Sequence, residues 1–233
     1  MVLKLALAIA AIAILTTLGV RAYYPGRGTP NVQSKEFLVE RGSLVEIAQR
    51  KKAEGQDKAR ISGLIIHYGG AGDLDEALRN YSVFVAEPIE SKSFPLESSS
   101  IQTWYRFRIL ETLARKDYLP CPTCSPVAQI PKEMRQPNSD EFFVHVIGGV
   151  IDVDGIEITQ PYTSLYFETG NKYLMFVNLA PSQVAKVAGG PAGAFRLDKN
   201  DSLQPLMKES APLPNKVRTH FGRLAEFKSH INR

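Results

Sequence analysis

Cys121 and Cys124 carry the most reactive spacing in the chain, Cys121-Pro122-Thr123-Cys124. Two thiols at C-x-x-C spacing suit a redox pair, half a zinc site or a small disulfide. A redox pair wants its first thiol at a helix N-terminus, where the dipole favours thiolate. Here Pro120, Pro122 and Pro126 surround the pair, and Ser125-Pro126 disfavours a following helix. Zinc takes about four ligands, and the sequence offers no second C-x-x-C and no closely spaced histidine pair to complete them. Haem attachment needs a histidine where Ser125 stands. In an exported chain two close cysteines most simply oxidise to each other. So short a loop contributes only about 2 kcal/mol. The sequence thus predicts a Cys121–Cys124 disulfide, with a thiol-redox or other enzyme using the pair as the alternative.

Trp104, Arg106 and Arg108 alternate with Tyr105, Phe107 and Ile109, so the two sets occupy opposite faces of a strand. An aromatic–arginine face is a candidate binding surface, of the kind that stacks single-stranded bases. The plainer reading is a core face and a wet face, with the arginines snorkelling beside Trp104. A formal charge of +4 over 233 residues is slight, and with export it counts against nucleic acid. His67, His145, His220 and His230 lie on separate segments with no ligand spacing. His145 alternates with Phe143 and Ile147 and reads as a half-buried strand residue. Ser62 and Ser164 lack a G-x-S-x-G elbow. Gly69-Gly70-Ala71-Gly72 precedes Asp73 without the Lys-Ser/Thr of a phosphate loop, and reads as a turn before a helix. Asp152, Asp154 and Glu157 miss the EF-hand spacing. No catalytic residue, metal or cofactor is expected.

The elements that position these residues begin with an apolar run, Leu5 to Val20, behind Lys4. As a helix it spans about 24 Å, short of a ~30 Å hydrocarbon core. Small residues flank Arg21 as signal peptidase prefers, while Tyr23 and Tyr24 could anchor an uncleaved span. Residues 1–22 are thus a signal peptide or a single-pass transmembrane helix, and residues 23–42 a Pro- and Gly-rich linker. The protein is expected to be exported, either periplasmic or extracellular, or anchored in the membrane by 1–22.

Residues 43–80 read as a helical extension. Ser43 and Glu46 form a capping box, and Asp73 and Glu76 repeat the signature. From Tyr81 the composition turns β-rich, with 81–207 predicted as one barrel-like domain. Tyr81 to Ala86 and Ile101 to Leu110 are separated by a Ser/Pro loop. Phe142 to Val153 and Ile156 to Thr159 flank Asp154-Gly155, a type I′ hairpin turn that places Val153 opposite Ile156 and Ile151 opposite Ile158. Gly148-Gly149 marks a bulge or sharp bend. Further strands are expected near 173–179, 183–188, 194–197 and 202–206. Within 208–233, Thr219 to Asn232 predicts one amphipathic helix with Phe221, Leu224 and Phe227 on a stripe. The fold class is mainly β (α+β): an antiparallel OB-like barrel with short helices before it and a helix after it.

The runs YSVFVAEPIES, IQTWYRFRILETL, FFVHVIGGVIDVDGIEIT, KYLMFVNL and GGPAGAFRLD, in that order, resemble an uncharacterised family of exported bacterial proteins. The likeness covers Asp73 to Leu206 and implies no activity. More loosely, the layout looks like the OB-type barrel of netrin and metalloprotease-inhibitor modules, whose N-terminal and paired cysteines this chain lacks. The leading expectation is a non-enzymatic, exported or envelope-anchored β-domain that binds an envelope protein, a glycan or a small ligand. An inhibitor-like module is a further alternative.

Overall fold

The computed structural model describes residues 40–63, 72–120, 128–162, 165–207 and 212–232. The first helix, α1 (Leu44–Ala53), starts where its sequence says it should. The Ser43 hydroxyl accepts from the Glu46 amide at 3.2 Å, and the Glu46 carboxylate accepts from the Ser43 amide at 2.9 Å. This satisfies two of the amides that any helix start leaves without an intrahelical partner. Strand β1 (Lys58–Arg60) follows. Helix α2 (Leu74–Asn80) is capped by Asp73, which accepts from the Glu76 amide at 2.9 Å.

Two long strands then form a hairpin, β2 (Ser82–Leu96) and β3 (Ser100–Ala114). The stretch expected as a Ser/Pro loop is mostly strand: the ladder continues to Leu96↔Ser100, leaving only three residues in the turn. Register shifts between Val83/Phe84, Val85/Ala86 and Pro88/Glu90 let the ladder pass Pro88. After β4 (Glu141–Ile147) come β5 (Gly149–Val153), β6 (Ile156–Gln160), β7 (Lys172–Leu179), β8 (Ala185–Val187), β9 (Ala194–Leu197) and β10 (Leu203–Pro205).

The strands make two sheets. A small one runs β1-β6-β5, with β1 parallel to β6 and β5 antiparallel. The large one runs β10-β9-β7-β2-β3-β4, with β8 added to the end of β7. The mainly β class is therefore present, but no closed barrel is found among the described residues. From β4 an isolated parallel bridge, Phe143↔Val184, reaches the segment before the three-residue β8.

Alternation assigns each face of the large sheet. Phe84 and Ala86 of β2, Tyr105 and Phe107 of β3, Phe142 and Val144 of β4, and Tyr173 and Met175 of β7 share the inner core with Leu165 and Phe167. Val83, Val85, Leu174 and Phe176 point the other way. There they are covered by α2 and by two C-terminal helices, α3 (Pro212–His220) and α4 (Leu224–Ile231). The single C-terminal helix expected from the sequence is thus broken. Arg223 adopts extended backbone, and its amide donates to Glu226 at 3.2 Å to start α4 afresh. The predicted stripe survives the break, since Phe221, Leu224 and Phe227 are all buried. Residues Val39–Arg233 make one compact unit, so the segments at both ends of the β-region contribute to its cores.

Among the described residues no helix is long and apolar enough to cross a membrane. The longest, α1, has ten residues. Ten residues of helix reach about 15 Å, half a ~30 Å hydrocarbon core. That finding corrects the expectation of a transmembrane helix; residues 1–22 and the linker up to Val39 lie outside the described residues.

The β5–β6 turn has the backbone a type I′ hairpin needs, with φ of 53° at Asp154 and 83° at Gly155. Its register is Val153↔Ile156 and Ile151↔Ile158, the pairing predicted from the sequence. A Cβ on Gly155 would meet nothing within 4 Å, so only the backbone resists substitution. Gly155→Val is expected to cost about 1–2 kcal/mol, the penalty of a branched residue held in the left-handed region. Urea unfolding of the two proteins measures it; an unchanged midpoint would refute the strained turn.

Candidate functional site

The distal half of the β2–β3 hairpin runs past the inner aromatic core, and its inward positions change from aromatic to hydroxyl. Ser91 pairs with Tyr105 and Ser93 with Thr103 across the hairpin. Opposite them, the chain leaves β4 and enters the small sheet at Gly148-Gly149, with φ of 113° and 140°. The expected sharp bend is here a transfer between sheets. It creates a cleft of about 470 Å³ lined by Ser91, Lys92, Ser93, Thr103, Asp152 and Tyr162, with Pro95, Val150 and Ile151 completing its walls.

Thr103 organises the floor. Its hydroxyl donates to the Gly148 carbonyl at 2.7 Å and lies 2.9 Å from Ser93 Oγ and 3.3 Å from Tyr162 Oη. A threonine hydroxyl has one hydrogen and two lone pairs. With that hydrogen given to Gly148, Ser93 and Tyr162 must be the donors to Thr103. Their own lone pairs are thereby left as acceptors. Beneath them Tyr105 is 1% exposed, its hydroxyl enclosed beside that of Tyr162. Burial, reinforced by the neighbouring Tyr162 hydroxyl, pushes the Tyr105 phenol well above its ordinary range, so it stays protonated. Tyr166, half exposed, lies 5.0 Å from Tyr162 ring to ring and puts an aromatic face beside the cleft.

Gln160 fastens the small sheet to this region. Its carbonyl oxygen accepts from the Ile101 amide at 2.6 Å, and its amide nitrogen donates to the Ser62 carbonyl at 3.0 Å. Ser62 therefore contributes backbone to a structural junction. Asp152 accepts from the Gly155 amide at 3.1 Å, and Glu157 pairs with Lys58 at 3.2 Å. Among the described residues no cluster of three His, Cys, Asp or Glu side chains could hold a metal ion.

The face carrying Trp104, Arg106 and Arg108 is built differently from a stacking platform. Trp104 has no exposed surface; it packs with Met134, Phe143 and Val184, and with Phe94, Ala128 and Ile130 at the margin. Its ring stacks on His145, its partner across the ladder, at 4.9 Å and 28°. Arg106 pairs with Glu90 at 2.8 Å, and Arg108 pairs with Glu87. The strand's two-face alternation is as read from the sequence, but the segment around Met134 covers the tryptophan that a surface site would need. Further along, burial pushes the Glu141 carboxyl up. The Asn138 amide and Arg135 outweigh that effect and hold it below its usual range.

Cys121, Cys124, His67 and Ser164 lie outside the described residues, as do residues 64–71 with most of the glycine run. Asp154 and Gly155 form the hairpin turn and line no cleft described here. The hydroxyls of the cleft were missed by reading motifs along the chain. Their one signal was the alternation that puts Thr103 on the Tyr105 face, together with two serines spaced for one face of a strand. Comparison with protein-family models, with curated proteins and with solved structures finds no match for the chain.

Proposed function

We propose that the chain is an exported, non-enzymatic binding domain whose cleft at Thr103 holds a segment of glycan. The observation that carries this reading is the hydroxyl cluster, in which Ser93 and Tyr162 spend their hydrogens on Thr103 and offer lone pairs outward. A ligand that fits must itself donate hydrogen bonds, as sugar hydroxyls do. Asp152 adds a carboxylate at the wall, and the half-exposed Tyr166 ring, 5.0 Å from Tyr162, supplies an apolar face for the C–H surface of a pyranose. Clefts of this size, at the open end of a β-structure, are where ligands are generally held.

The same reading treats β7, β2, β3, β4 and β8 as a barrel-like, OB-type ring. The Phe143↔Val184 bridge supports it, with the Phe143 amide donating to the Gln183 carbonyl at 2.8 Å across the gap. The cleft then lies at the ring's mouth. Export rests on Lys4 and the apolar run behind it, and fractionation of the native host tests that part.

Calorimetric titration of the full chain with chitotetraose, cellotetraose and maltotetraose tests the binding. At least one is expected to bind with a Kd in the micromolar to millimolar range. Tyr162→Phe and Ser91→Ala are each expected to weaken it about tenfold, the size of one lost hydrogen bond of about 1.4 kcal/mol. The wild-type chain binding none of the three would overturn the glycan reading.

A further inference from the structure

On the opposite face of β3 from the cleft, the edge of β4 meets the segment leading into β8. This junction is slender. Its backbone links are the parallel bridge Phe143↔Val184 and the Phe143 amide donating to Gln183 at 2.8 Å, and Phe143 and Val184 also pack together beside Trp104. In a parallel pair, stepping two residues along both strands returns to the same face. From Phe143 and Val184 that step reaches His145 and Lys186. The imidazole is thus aligned with a lysine across a joint held by a single bridge, and it is stacked on Trp104 at 4.9 Å.

We propose that this seam is a proton-released latch: neutral His145 holds it shut against Trp104, and protonation of His145 parts β4 from the Gln183–Val187 segment. Three features make a proton at this position unfavourable. The first is desolvation, because His145 is half-buried, its ring stacked on Trp104 and its Nδ1 enclosed. The second is the absence of an acceptor, since its Nδ1 is buried and has no hydrogen-bond partner. An imidazolium gains no hydrogen bond at Nδ1 to offset the hydration lost there. The third is the sign of the surroundings. Lys186 of β8 lies across the seam from the ring, and its charge opposes a proton there; Arg106 and Lys92 stand on the same face one ladder position away, opposite Phe143 and Trp104. The nearby carboxylates are engaged elsewhere: Glu90 of β2 holds Arg106 at 2.8 Å, and Glu141 of β4 is held by Arg135 at 2.7 Å.

Burial, with Lys186 adding to it, lowers the His145 pKa below its ordinary 6.5. The folded state therefore binds this proton more weakly than the open state does. Stability is retained above pH 6.5 and lost progressively as pH falls from there toward the lowered value. Opening the latch exposes the apolar patch of Trp104, Phe143 and Met134 on the outer face. The glycan cleft opens on the inner face, so the two proposals stand or fall separately.

Trp104 is the chain's one tryptophan, and its fluorescence reports the stack directly. In the full chain, emission is expected to change between pH 7 and 5. Hydrogen exchange at the Phe143 amide, corrected for intrinsic rates, is expected to quicken severalfold over the same pH range. The β2–β7 ladder at Val83↔Phe176 should stay protected over the same range. His145→Gln, which keeps a polar side chain without a titration, should flatten both profiles. Lys186→Gln removes the like charge, and should move the fluorescence transition to higher pH while shrinking the loss of stability. A wild-type profile retained in His145→Gln would overturn the proposal. So would a transition moved to lower pH in Lys186→Gln, or a Phe143 amide whose exchange ignores pH.

Discussion

Phe107→Ala is expected to lower the free energy of unfolding by about 3–5 kcal/mol, the range for removing a fully enclosed aromatic ring. Phe107 has no exposed surface. Its ring stacks on Phe142 at 5.2 Å and 7°, and meets Phe167 edge-on at 4.9 Å and Tyr173 at 6.4 Å. These neighbours come from β4, from the segment before β7 and from β7 itself, so no single element can move in to fill the space. The loss is a large fraction of the ~5–15 kcal/mol that holds an ordinary domain together. Urea titration followed by far-UV circular dichroism measures it. A cost below about 1.5 kcal/mol would mean that the inner core collapses around the gap, and that the aromatic cluster is not the centre of the sheet.

The sequence signalled that core because Tyr105, Phe107 and Ile109 alternate with Trp104, Arg106 and Arg108, and alternation survives whatever the strand pairs with. Local signals were equally legible. The Ser43–Glu46 box, the Asp73 cap and the Asp154-Gly155 turn each depend on residues within three or four positions of one another. What failed to show depends on distant partners or on strands that defy local preference. Residues 87–96 carry Pro88, Pro95, Ser91 and Ser93, a composition that reads as loop. They are strand because β3 supplies a full ladder, with irregularities beside Pro88. The parallel pairing of β1 with β6 joins Lys58 to Glu157 and had no local cue.

The cleft illustrates the same limit. Ser93, Thr103, Asp152 and Tyr162 come from the β2–β3 hairpin, from β5 and from the segment after β6. None belongs to a motif, and the hydrogen-bond directions that make the floor an acceptor surface exist only once Thr103 has met Gly148. By contrast, the face that looked chemical in sequence, Trp104 with its arginines, is closed over by Met134 and paired with Glu90 and Glu87. Residue types on one strand face showed which side chains lie together. They could not show what the chain some thirty residues later would lay over them.

Gly148→Ala is expected to be the most damaging of the alanine substitutions at the three glycines of the β4–β6 region, Gly148, Gly149 and Gly155. A Cβ at Gly148 would lie 2.6 Å from Tyr162 Cα and 2.8 Å from both the Pro161 carbonyl and the Tyr162 amide nitrogen. All three are backbone atoms, so no rotamer change relieves the clash. The residue also sits at φ 113°, outside the range that L side chains favour. Backbone strain of ~1–3 kcal/mol and overpacking of ~1–3 kcal/mol together predict a cost of about 3 kcal/mol or more. Neighbouring Gly149 makes the comparison informative. There a Cβ would strike Thr103 Oγ1 at 2.3 Å and Ser93 Oγ at 2.5 Å, which are side-chain ends. Ser93 can rotate away, so Gly149→Ala should disrupt the hydroxyl floor and the proposed glycan binding more than the fold. Gly148→Ala should unfold the junction itself and displace Tyr162 with it. Gly155→Ala, where a Cβ meets nothing, sets the cost of backbone conformation alone. Measured side by side in urea, the three should rank 148 above 149 above 155. If Gly148→Ala were no more destabilising than Gly155→Ala, the close approach of β4's end to Tyr162, and the cleft it shapes, would be refuted.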